Sequence, residues 1–149
     1  MIKLLVTFFS IFMVNSALAG TVNVSDEDAK FLINKFYSTY VLVEYEGNHI
    51  SLDRVSAPNW GTPKFINKLK KDYDYDCEDN DCYGVYALRT GAQDGEGASG
   101  ITNITPRSNG WYRVNYRDMG WKGVTDVKVV GINRIPKLDD YKFVSSNVK

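Results

Sequence analysis

Residues 109–118 read NGWYRVNYRD. The pair Asn109-Gly110 is a strong turn signal. After it, side chains alternate with a period of two. Tyr112, Val114 and Tyr116 fall on one face, and Arg113, Asn115 and Arg117 on the other. That period places a strand over Trp111 to Asp118 with one face buried and one face wet. The residues around it read the same way. Ile101 to Thr105 is a short strand candidate. Gly123 to Ile132, with Val124, Val127, Val129, Val130 and Ile132, is another, and a last strand spans Lys137 to Val144. Upstream, Tyr83 to Thr90 is apolar and β-rich, and GAQDGEGASG over 91–100 is a flexible loop.

Nearer the N-terminus the period becomes helical. Ser25 can cap a helix whose first turn, Asp26-Glu27-Asp28, suits the positive end of the helix dipole. Ala29, Leu32, Ile33, Phe36 and Tyr40 then recur on one face, and the helix runs to about Leu42. Thr62-Pro63 gives a cap followed by Pro at the first helical position. Phe65, Leu69 and Tyr73 share the inner face of this second helix, about ten residues long, with Lys64, Lys68, Lys70 and Lys71 outside. Helices followed by consecutive strands make an α+β domain, with helices on one face of an antiparallel sheet. No internal repeat or interdomain linker interrupts it.

Residues 1–19, MIKLLVTFFSIFMVNSALA, combine a single early Lys, an apolar run and the small-x-small triplet Ala17-Leu18-Ala19. This is the pattern of a cleaved signal peptide. The run is short for a membrane span, which needs ~20 residues. Cleavage after Ala19 leaves a single domain over residues 20–149, exported to the periplasm, with no stable membrane anchor. An oxidising compartment makes Cys77 and Cys82 a disulfide pair that clips one local loop.

The chain has 18 basic and 18 acidic residues, one His and two Cys. A nucleic-acid-binding domain shows a basic excess, and none exists. One His and two Cys leave little for a zinc site. His49 is the only His for a catalytic triad, and no nucleophile motif adjoins it, so the reading is of a non-enzyme. No cofactor or metal is expected. The letters of G-x-G-x-x-G at 95–100 lack the strand before and helix after that a dinucleotide site needs.

Six acids crowd into residues 72–81, DYDYDCEDND. Three readings compete. The D-x-D-x-D start resembles a calcium loop, but Cys77 stands where Gly is needed and Tyr83 where Glu is needed. A solvated loop after a Lys-rich helix is the plainest. The third is a docking surface for a protein partner with a basic surface, carried by Asp74, Asp76, Glu78, Asp79 and Asp81 with Tyr75 as anchor. Trp111, Arg113 and Arg117 form a second candidate contact patch, since interfaces favour Trp and Arg.

Three short motifs in order, Phe36-Tyr-Ser-Thr-Tyr40, Gly91-Ala-Gln-Asp94 and Lys137-Leu-Asp-Asp-Tyr141, resemble a bacterial family known as domain of unknown function family 3828. The resemblance implies a nuclear transport factor 2-like fold, in which helices pack into a curved, cone-like antiparallel sheet around a pocket. One departure is Pro136, where the family usually has Trp. The family carries no activity of its own.

These features lead to two functional expectations. The first is a periplasmic, non-catalytic protein-binding module, an immunity or inhibitor protein against a secreted toxin. The second is a small-ligand-binding protein whose cone pocket is lined by Phe36, Tyr40, Tyr112 and Tyr116.

Overall fold

The computed structural model describes residues 23–42, 59–76, 88–89 and 95–147. The expected signal peptide, His49, the Cys77–Cys82 pair and most of the expected 83–90 strand lie outside the described residues. Within them the fold is α+β: two helices and an open four-stranded antiparallel sheet in the order β1-β2-β3-β4.

Helix α1 spans Asp26–Phe36. Its cap is reciprocal. The Asp28 amide donates to Ser25 Oγ at 3.1 Å, and Ser25 Oγ donates to the Asp28 carboxylate at 2.6 Å. The carboxylate also lies in the first turn, where the helix dipole favours it. The chain then widens into a π-helical turn at Tyr37–Val41, and the Leu42 amide reaches back five residues to the Tyr37 carbonyl at 2.9 Å. This turn rephases the helix. Tyr37 and Val41 become fully buried, whereas Leu32 and Tyr40, expected on the core face, are only partly so.

Helix α2, Pro63–Asp76, has 14 residues, longer than the sequence suggests. Thr62 caps it, its Oγ1 accepting from the Phe65 amide at 3.3 Å. Residues 60–62 are tied to the last strand: the Thr62 amide donates to the Leu138 carbonyl, and the Leu138 amide to the Trp60 carbonyl. Gly61 lies between these bonds. A Cβ there would sit 2.5 Å from the Phe65 ring.

Strands β1 (Gly100–Pro106), β2 (Trp111–Asp118), β3 (Trp121–Ile132) and β4 (Ile135–Ser146) confirm the four strands read downstream of the glycine loop, with β3 and β4 starting two residues earlier. Two hairpin turns were not read from the sequence. Met119-Gly120 and Asn133-Arg134 both have positive φ at the two central positions, the mirror-image turn that matches strand twist. Leu88 and Arg89, the described part of the expected 83–90 strand, lie in a turn.

The glycine loop is not a free loop over its described part. A Cβ at Gly95 would lie 2.0 Å from the Met119 carbonyl oxygen, and one at Gly97 would lie 2.4 Å from Gly120 Cα. Ser99 Oγ accepts from the Met119 amide at 2.8 Å. These glycines allow one backbone to lie against the β2–β3 turn.

The buried side chains of helices and sheet form one cluster. Ala29, Ile33, Phe36, Tyr37 and Val41 join Phe65 and Leu69 of α2 and Tyr112, Val114, Tyr116, Val127, Val129, Leu138 and Tyr141 of the sheet. Aromatic rings fasten it. Phe36 meets Tyr37, Tyr40, Trp60 and Phe65 at 5.7–6.3 Å between centroids, and Phe65 meets Tyr141 at 5.5 Å. Such tilted and edge-on pairs add to the stabilisation from burial.

Candidate functional site

The side chains of Asp74, Tyr75 and Asp76 lie outside the described residues, as do Glu78, Asp79 and Asp81. The base from which they extend is described. Asp72, the first acid of the run, accepts a hydrogen bond from the Tyr141 hydroxyl of β4. Lys64 and Lys68, two of the four helix cations, turn to β4 instead. Lys64 Nζ lies 2.7 Å and Lys68 Nζ 2.8 Å from the Asp140 carboxylate. Lys68 also donates to the Tyr141 carbonyl and sits 4.4 Å from the centre of the Tyr141 ring. The expectation that all four lysines clothe the outside therefore fails at Lys68, which is half-buried against the sheet.

Asp139 completes this network. Its carboxylate accepts from Thr62 Oγ1 at 3.0 Å and lies 3.7 Å from Lys64 and 3.6 Å from Lys128. Partial burial tends to raise the Asp140 carboxyl. The hydrogen bonds from Lys64, Lys68 and the Tyr141 amide outweigh it and hold the group down at about 2. Lys64 in turn is pushed up by its bond to Asp140. Both ends of the network are held charged at neutral pH.

The four residues expected to line a pocket are divided. Phe36 and Tyr116 are each 1% exposed and belong to the packed core. Tyr40 is half-buried, in edge-on contact with Trp60 at 5.1 Å. Tyr112 is buried by its ring, but its hydroxyl donates to Asp26 Oδ1 at 2.8 Å on the wall of an open cleft. Burial first, then this bond to a carboxylate, pushes the Tyr112 hydroxyl up to about 12. The cleft encloses about 410 Å³ between the start of α1 and the β1–β2 and β3–β4 hairpins. Asp26, Arg107, Asn109, Tyr112 and Lys128 are among its polar walls. Only Tyr112 of the expected pocket set reaches it.

Two buried polar arrangements were not read from the sequence. Arg89 grips Asp118 through two hydrogen bonds of 2.8 and 2.7 Å, and the Asp118 side chain is fully buried. This bidentate geometry suits guanidinium and carboxylate. The Tyr116 hydroxyl pairs with Thr125 Oγ1 at 3.2 Å, and burial raises its pKa to about 12. The inward position of Asp118 does follow from the strand period that carries Val114 and Tyr116. Its partner 29 residues upstream carries no sequence signal.

Among the described residues no cluster of His, Cys, Asp and Glu could hold a metal ion, and no helix is long and apolar enough to cross a membrane.

No protein-family model matches the chain. No curated protein matches it either. A crystal structure of a protein of unknown function from Bacteroides thetaiotaomicron VPI-5482 is similar in fold, with a TM-score of 0.57 and 20% sequence identity. The match covers 78% of this chain and 89% of that one.

Proposed function

We propose that the protein is an exported, non-catalytic protein-binding module, of the immunity or inhibitor kind, which presents the acidic segment 74–81 to a basic surface on a secreted toxin. The observation that carries this reading is the use made of the helix cations. Lys64 and Lys68 are drawn to Asp140, so these two charges are spent on the sheet rather than on the acidic run. Asp72 is bound by Tyr141 at the root of that run. A segment anchored at its base loses less freedom on binding, and clustered charge speeds encounter with a cationic partner. In the periplasm, where this reading places the protein, a Cys77–Cys82 disulfide would clip the segment further.

The fold we infer is cone-like, as in the nuclear transport factor 2-like members of domain of unknown function family 3828. Register shifts between Ile101 and Asn103, Val124 and Thr125, and Lys128 and Val129 support curvature, because bulges bend strands. The small-ligand alternative draws support from the 410 Å³ cleft beside Tyr112, whose volume is within the range of small-molecule sites.

The test is affinity capture with the exported chain from periplasmic extract and from competing bacteria, followed by binding measurements on the retained protein. Joint reversal of Asp74, Asp76, Glu78, Asp79 and Asp81 to Lys should weaken binding and flatten its salt dependence. Unchanged affinity and salt dependence would remove the acidic segment from the interface.

A further inference from the structure

Four consecutive residues of β3, Lys128, Val129, Val130 and Gly131, line the cleft of about 410 Å³. Successive side chains of a strand point to opposite faces, so what such a run shares is its main-chain edge. β2 begins at Trp111, opposite Lys128, while β3 continues to Ile132, paired there only with β4 among the described residues. Four residues, about 13 Å of strand, therefore overrun β2. Leu138, the β4 partner of Val129, turns its own amide and carbonyl outward to Trp60 and Thr62. In an antiparallel ladder a residue whose partner faces away also faces away. Val129, and Gly131 two residues on, thus aim their main-chain groups past the end of β2. Both residues are buried, and among the described residues neither has a backbone partner on that side. Buried main-chain groups are almost always paired, and a glycine inside a strand often marks close approach by another backbone.

The β1–β2 turn closes one end of this edge. A Cβ at Gly110 would lie 2.6 Å from the Val129 carbonyl oxygen, and the Arg107 amide donates to the Trp111 carbonyl at 2.7 Å. Antiparallel pairing is the stronger kind per residue. A strand laid antiparallel to β3 runs in the direction of β2, so its C-terminal end meets this turn. Arg107 stands there. It lines the cleft, is exposed and makes no ion pair among the described residues. Its charge reaches Asp126, but both oxygens of that carboxylate are taken by Arg113. Asp26 also lines the cleft. A bare anion meets repulsion from it, whereas a peptide brings N–H donors along with its carboxylate.

We propose that the cleft receives the carboxy-terminal end of an extended peptide, which adds a short strand to the edge of β3 at Val129–Gly131 and sets its terminal carboxylate on Arg107. The main-chain groups of Val129 and Gly131 identify the class of ligand, because a peptide backbone repeats its donors and acceptors at the spacing of a strand. The closed end beside Arg107 identifies which terminus enters. The proposal rests on the small-ligand reading of this cleft and names the ligand, and the acidic segment takes no part in it. In strand addition affinity comes from main-chain bonds, so a peptide of plain sequence suffices as probe.

The test uses the full exported chain and tetra-alanine labelled with fluorescein at its N-terminus, read by anisotropy. The wild type should bind the free acid at least ~5-fold tighter than the C-terminal amide. Arg107→Gln should erase that preference, while Arg134→Gln, the loss of an exposed cation on the neighbouring hairpin, should leave it within ~2-fold. Methylation of the peptide nitrogens one at a time gives a second readout that needs no change in the protein. The loss should alternate, at least ~5-fold at every second nitrogen and within ~2-fold between, because a strand turns only alternate amides to its neighbour. Equal losses at adjacent nitrogens, no preference for the acid, or no binding by the wild type overturns the proposal. Competition by N-acetylalanine as strong as by tetra-alanine overturns the strand addition while keeping a small ligand in the cleft, and this arm separates the two readings.

Discussion

The rings of Tyr37 and Tyr116 lie 5.6 Å apart at 49°; among the described residues the Tyr116 hydroxyl pairs with Thr125 Oγ1 at 3.2 Å, whereas the Tyr37 hydroxyl has no partner within hydrogen-bond geometry. Thr125 Oγ1 pairs with Tyr116 and turns toward the Leu88 carbonyl at 3.5 Å, while the Tyr37 hydroxyl is fully buried. Burial, with Tyr116 beside it, pushes the Tyr37 hydroxyl well above its ordinary pKa. A buried, unpaired hydroxyl costs about 1–3 kcal/mol. Tyr37→Phe should therefore leave the protein as stable or more stable by up to about 1 kcal/mol, whereas Tyr116→Phe should lose about 1 kcal/mol. Urea unfolding of the two variants checks this. A destabilised Tyr37→Phe would mean that the hydroxyl is satisfied.

The Arg89–Asp118 pair links a segment outside the sheet to the end of β2. Removing one partner leaves an uncompensated buried charge, so Asp118→Ala should cost about 3–5 kcal/mol. The double change Asp118→Leu with Arg89→Met should recover a large part of that loss, because an apolar pair needs no desolvated charge. Thermal unfolding of both variants decides the point. Equal losses would mean that Asp118 acts through other bonds.

β2 and β3 were legible because their side chains alternate with a period of two, and Asn109-Gly110 marked the turn before β2. The π-helical turn was not. A continuous apolar spacing from Ala29 to Tyr40 fits an ordinary helix, and only packing selects Tyr37 and Val41 for the core. Lys68 was misjudged for a similar reason. Its helical position looks outward, but its partners Asp140 and Tyr141 lie more than 70 residues away. The face of β2 expected to be wet has Arg117 exposed, with Arg113 half-buried against Asp126. Of the expected pocket, Phe36 and Tyr116 are core residues, since aromatic residues at strand and helix spacing satisfy packing and lining equally well.

Arg134 occupies the second central position of the β3–β4 turn with φ +67°. Left-handed backbone costs an L side chain about 1–2 kcal/mol, and glycine escapes that cost. Arg134→Gly should raise the urea midpoint, by about 0.5–1 kcal/mol of stability, with an unchanged m value. An unchanged or lowered midpoint would show that the arginine side chain offsets its own backbone.

Gly95 and Gly100 bracket the described part of the glycine loop yet face different surroundings. A Cβ at Gly95 meets backbone and Met119 Cβ, whereas one at Gly100 meets nothing within 4 Å. Gly95→Ala should cost about 1–3 kcal/mol through a forced shift of the β2–β3 turn, and Gly100→Ala should stay within about 0.5 kcal/mol of the wild type. Equal effects would mean that the loop does not dock on the turn.

Asp140 gives the fold an acid limit. Its carboxyl sits at about 2 in the folded protein, below its ordinary value of 3.8. A depressed carboxyl stabilises the fold fully above the unfolded pKa and loses that contribution as pH falls through the folded one. Asp126 adds to the loss, its own carboxyl being lowered by the hydrogen bonds from Arg113. Stability should thus be level from about pH 5 upward and fall steeply between about pH 4 and 2. Because the Asp140 side chain is 20% exposed and Lys64 58% exposed, solvent screening reduces the Asp140 share to about 1 kcal/mol. Asp140→Asn should lower stability at neutral pH by that amount and flatten the curve below pH 4. A variant curve parallel to the wild type over the whole range would assign the acid sensitivity to other carboxylates and reduce Asp140 to a packing residue at the root of α2.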